Sequence, residues 1–68
     1  MIKITITTCK VDASLIEEHP QLAGFDKAYY VIRESGKRIS EFYADEDDAV
    51  CFAWKLILKY GFSLVEPW

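Results

Sequence analysis

Between Asp45 and Gly61 the chain encodes a helix with almost no polar side to leave in water, and this constrains the fold of its 68 residues more than any other feature. Asp45 is placed to cap the helix, and Glu46, Asp47 and Asp48 fill a first turn where the helix dipole favours negative charge. Lys55 and Lys59 lie toward the other end, where cations are favoured, and Gly61 stands where a helix commonly turns left-handed. Projected at ~100° per residue, Ala49, Val50, Ala53, Leu56, Ile57 and Tyr60 form one stripe, with Phe52 at its margin. Trp54, Leu58 and Cys51 fall on the opposite side, and only Asp48, Lys55 and Lys59 form a narrow charged strip. A helix apolar nearly all round must be covered on both sides. Two arrangements satisfy this. Residues 9–27 fold back and bring Leu15, Ile16, Leu22 or Phe25 onto Trp54 and Leu58, or those two stay open as a docking patch for a second copy or another protein.

The remaining segments supply a sheet for the inner stripe. Ile2, Ile4 and Ile6 alternate with Lys3, Thr5 and Thr7, which predicts a half-buried strand near residues 2–8. Ala28 to Arg33 is apolar on both faces and predicts a central strand near 28–34. Glu34-Ser35-Gly36-Lys37 reads as a turn, with Gly36 free to take positive φ, and residues 38–43 return as the second arm of a hairpin. Phe62 to Glu66 forms a last strand near 62–66, closed by Pro67. In the segment 12–26, Asp12 or Ser14 caps a short helix that Pro20 ends, followed by a loop or irregular turn. The expected fold is one α+β domain over residues 1–68. It has a three- to four-stranded antiparallel sheet, the helix 45–60 across one face, and a short helical or irregular segment over 12–26.

Charge and spacing then narrow the chemistry. Eleven acidic against eight basic residues give a net charge of −3, which repels nucleic-acid phosphates at long range. Arg33, Lys37 and Arg38, near Tyr30 and Tyr43, are a basic–aromatic cluster too small for a nucleic-acid footprint. The longest apolar run, Ala49 to Trp54, is far too short to span a bilayer. Cys9 and Cys51 have neither metal-finger nor CxxC spacing, and no secretory apolar run precedes them. Two free thiols in a reducing cytoplasm are expected, with a Cys9–Cys51 disulfide as the alternative. The only histidine, His19, reads as a solvated loop residue without a nucleophile to serve. No metal-ligand spacing and no phosphate-cradling glycine pattern occurs. The residues therefore predict no catalysis, metal or cofactor. Capping and dipole effects account for at least two of the four acids Asp45, Glu46, Asp47 and Asp48. The rest, with Glu41 from the preceding strand, form an acidic patch suited to Arg or Lys on a partner.

The run Phe42-Tyr43-Ala44-Asp45-Glu46-Asp47-Asp48-Ala49, with Trp54 and Gly61-Phe62 beyond it, resembles the strand–helix–strand part of small acidic phage proteins that disable host machinery. Phage inhibitors of bacterial RNA polymerase share the hairpin, the acid-started helix with Ala and Trp, and the Gly-Phe entry to a last strand. Anti-CRISPR proteins are similar in size, charge and class. The resemblance covers roughly residues 38–65 and implies a stoichiometric cytoplasmic inhibitor without an active site. Such a protein docks on a host protein or nucleoprotein complex, with Asp45 to Asp48 as contacts. The alternative is a self-associating accessory module paired through the Trp54 and Leu58 face.

Overall fold

A computed structural model of the protein describes residues 2–65. Alternation of isoleucine with threonine and lysine produces β1 (Lys3–Lys10), which buries Ile4 and Ile6 on one face. Asp12 caps α1 (Ala13–Glu18), its carboxylate accepting from the Leu15 amide at 2.9 Å. The helix stops at His19 because Pro20 follows, and Pro20 opens a single 3-10 turn through Leu22. β2 (Lys27–Arg33) pairs antiparallel with β1 along its length, Ile6 opposite Val31 and Cys9 opposite Ala28. α2 (Glu46–Tyr60) then crosses the sheet, and β3 (Ser63–Leu64) pairs with β1 at Lys3 and Ile4.

The α+β class, the long helix and the short helical segment follow the sequence reading. Two features of the expected sheet do not. β3 runs parallel to β1 on the side away from β2, so the three-stranded sheet is mixed, in the order β2-β1-β3. The reason is a count of reversals. The arm after β2 runs in the direction of β1, α2 reverses the chain once, and the strand leaving α2 reverses it again. The last expected strand is also shorter than 62–66, and Glu66 and Pro67 lie outside the described residues. Beyond Ile4, the outer edge of β1 carries no strand partner among the described residues.

The second correction concerns residues 38–43, which form no continuous strand. Two isolated antiparallel bridges, Ile32 to Arg38 and Tyr29 to Tyr43, hold this arm to β2. Between them β2 contributes Tyr30 and Val31, whereas the arm contributes Ile39, Ser40, Glu41 and Phe42. The excess bulges, and Ser40 closes the gap. Its hydroxyl oxygen accepts from the Val31 amide at 2.8 Å and donates to the Glu41 carbonyl at 2.9 Å. Ser40 is the one polar residue buried among those described, and these bonds make its burial tolerable.

The core lies between the sheet and α2. Ile4, Ile6 and Val31 from the sheet meet Ala49 and Ala53 from the helix. Two alanines at the contact let the helix approach closely, and Tyr29, Tyr43, Phe52, Leu56 and Ile57 seal the margin. Residues paired directly across antiparallel strands share a face, so Ala28 and Tyr30 lie on the side away from α2. Phe42 packs edge-on against Tyr30 at 5.1 Å and against His19 at 5.0 Å. His19 is therefore a half-buried packing residue and not the solvated loop histidine expected from the sequence. Leu22, fully buried, stands outside the main core.

Candidate protein-docking surface

The segment 9–27 is anchored to the sheet and not to the outer side of α2. The Val11 amide donates to the Asp26 carbonyl at 3.0 Å, which clamps the ends of the segment beside the β1–β2 pair. His19 then ties it to the face opposite α2 through Phe42 and Tyr30. The expected alternative in which this segment covers the helix is thereby overturned. Trp54 is 51% exposed and Leu58 81% exposed. Phe25, offered as a cover, is itself exposed, and Leu15 and Ile16 are only half-buried.

The open face is a consequence of helix spacing. With Ala49 and Ala53 committed to the sheet, Asp47, Cys51, Trp54 and Leu58 fall in line on the far side. All four are exposed. Asp48, Lys55 and Lys59, also exposed, line one flank of this row. The Lys59 ammonium lies 5.3 Å from the ring centre of Tyr60, which holds its charge near the C-terminal end of the helix.

The acidic group divides into structural and available members. Asp45 is the N-cap, its carboxylate accepting from the Asp47 amide at 3.0 Å. Glu46, Asp47 and Asp48 occupy the first turn and face solvent. Glu41, on the bulge of the arm, reaches the same neighbourhood. Burial first, then the charges of Glu41 and Asp48, push the Tyr43 phenol above its ordinary value of 10.0. Both carboxylates therefore lie within electrostatic reach of that phenol. Trp54 and Leu58 continue from this acidic end along the outer face.

Other candidates offer less. Arg38 stacks its guanidinium 4.4 Å from the Phe42 ring centre and donates to the Ser40 carbonyl, so it holds the bulge. Tyr43 packs toward Phe52 and the core, while Tyr30 lies on the other face of the sheet. The basic–aromatic cluster is thus not a common stacking platform. Cys9 and Cys51 are both free. Cys9 borders a hollow of about 320 Å³ with Lys10, Asp12, Ser14, Leu15 and Glu18. Burial, then the charge of Asp12, raises its thiol pKa, which disfavours the nucleophilic thiolate. Among the described residues, no three His, Cys, Asp or Glu side chains cluster to hold a metal ion. No helix there is long and apolar enough to cross a membrane.

Sequence alone marked Trp54, Leu58, the four acids and Glu41, all of them exposed in the structure. It missed Asp47 as a member of the outer row, although its seven-residue distance from Trp54 was the available signal. Comparison of the chain with protein-family models, with curated proteins and with solved structures finds no match.

Proposed function

We propose that this protein is a non-catalytic binding module that docks stoichiometrically on a host protein or nucleoprotein complex in the cytoplasm. Its mode of action is that of the small phage inhibitors its central segment resembles. The observation that carries the reading is the exposure of Trp54 and Leu58 on a helix whose inner face is already used by the core. Leu58 at 81% exposure adds little to the fold of one chain and Trp54 leaves half its surface in water, whereas an exposed Trp beside charged residues is a frequent energetic anchor in protein interfaces. The acidic end, Glu41 with Glu46, Asp47 and Asp48, selects a basic partner surface and speeds encounter with it. A net charge of −3 argues against direct nucleic-acid binding and in favour of a protein that itself binds nucleic acid.

Calorimetric titration into purified bacterial RNA polymerase and into a CRISPR effector complex tests the reading. Saturation at one copy per binding site is expected with one of these classes, together with loss of binding when Glu46, Asp47 and Asp48 become Gln, Asn and Asn and Asp45 becomes Asn. Asn retains capping ability, so the fold survives. Binding that persists in this folded variant removes the acidic patch from the account, and no binding to either class removes the inhibitor reading. Self-association is the second reading, favoured by the spacing along the outer row.

A further inference from the structure

We propose that the outer face of α2 is covered, in the free protein, by a second copy of this chain, with the two α2 helices antiparallel about a two-fold axis near Phe52 and Ala53. The inference rests on the reading that this face is a contact surface, and it names the resting occupant. Three observations converge on it.

The exposed row Asp47, Cys51, Trp54, Leu58 advances by four, three and four residues, with both Asp47–Trp54 and Cys51–Leu58 seven apart. That is the seam spacing with which one helix packs along another.

The flanking charges fix the direction. Asp48 stands at the start of the seam, and Lys55 and Lys59 lie toward its end on the same flank. A parallel two-fold copy would put the two charged flanks on opposite sides of the seam, where neither meets the other. An antiparallel copy sets Asp48 of each chain against Lys55 of the other, twice by symmetry, and opposes the two helix dipoles. Trp54 of each copy then lies over Cys51 of the other, near the axis. Within a single chain Asp48 and Lys55 are seven residues apart, about 10 Å along the axis at ~1.5 Å per residue. They do not pair with one another, and both stand exposed on the flank.

The size of the contact sets its strength. At 15 residues, α2 is about 22 Å long, and a single helix pair of that length buries less than the ~1,200 Å² of a standard stable interface. The dimer is accordingly proposed to be weak and reversible. A host partner that engages the same face displaces the second copy.

Sedimentation equilibrium of the full chain at low salt, from about 1 to about 500 µM, spans micromolar dissociation. The expected result is a mass rising from one 7.9 kDa chain to two. Leu58→Glu, at an 81% exposed site, should stay monomeric throughout while keeping its circular dichroism spectrum. Asp48→Lys and Lys55→Glu should each weaken the dimer by about tenfold, since each turns two symmetric attractions into repulsions. The double variant should recover it. The double variant carries the same helix-end penalty as Asp48→Lys, so recovery cannot come from folding. A wild type that remains monomeric overturns the proposal. So does a dimer indifferent to Leu58→Glu, which would place the contact elsewhere, at the open β1 edge for instance. Failure of the double variant to recover overturns the antiparallel pairing. If the wild type is monomeric and Trp54→Ala abolishes host-complex binding, the dimer falls and the docking face stands. If Trp54→Ala changes neither mass nor binding, both fall.

Discussion

Replacing Ser40 with Ala should destabilise this domain more than removal of one surface hydroxyl suggests. Ser40 is 6% exposed and Val31 wholly buried. The Val31 amide points away from β1 to the bulge, where the Ser40 hydroxyl is its acceptor at 2.8 Å. Alanine at position 40 leaves that amide buried and unpaired, at a cost of about 1–3 kcal/mol. A chain of this length has a total stability of roughly 3–10 kcal/mol at about 0.05–0.15 kcal/mol per residue. The loss is thus a large fraction of the whole, equivalent to a fall in melting temperature of ~4–8 °C per kcal/mol. Urea denaturation followed by circular dichroism measures it, and hydrogen exchange at the Val31 amide localises it. Ser35→Ala, in the exposed turn, serves as the control. A loss below about 0.5 kcal/mol, the range of ordinary surface changes, would refute the claim that Ser40 holds the arm to the sheet.

Two further outcomes follow from the local chemistry. Asp45→Ala removes the acceptor for the Asp47 amide and should cost about 1 kcal/mol by thermal melting, whereas Asp45→Asn should cost only a few tenths. The raised Tyr43 pKa means that the fold favours the neutral phenol. Its contribution is complete below the unfolded value near 10 and is lost as pH rises through the folded value. Stability should therefore fall above about pH 10 more steeply in the wild type than in Tyr43→Phe, as read from urea midpoints across that range.

Local signals made part of this structure readable in advance. The ends of α2 were legible because a cap acts over two residues and a left-handed turn over one. Asp45 accepts from Asp47, and Gly61, at φ +72, donates its amide to the Ile57 carbonyl at 2.9 Å. The strand containing Ile4 and Ile6 was legible because alternation is intrinsic to a half-buried strand. The direction of β3 was legible in principle, because an arm, one helix and one strand imply two reversals and hence a return parallel to β1. Position 40 lacked such a signal. A serine between Ile39 and Glu41 reads as an ordinary strand residue until its hydroxyl is seen to accept from the buried Val31 amide. The side taken by residues 9–27 depends on His19, Phe42 and Tyr30 meeting across more than twenty residues of sequence, which periodicity does not encode. The exposed outer face of α2 was half legible: the helix projection placed Trp54 and Leu58 outward, but whether residues 9–27 covered them depended on that long-range choice.

The account turns on the outer face of α2, which the described residues leave exposed at Trp54 and Leu58, being the surface proposed to meet another molecule. Radical oxidation of the Trp54 indole, quantified by mass spectrometry on the peptide that contains it, tests this directly. Trp54 should react as an exposed side chain in dilute solution and become protected as concentration rises or as host complex is added. A Trp54 already protected at the highest dilution, or equally reactive under every condition, would contradict the account.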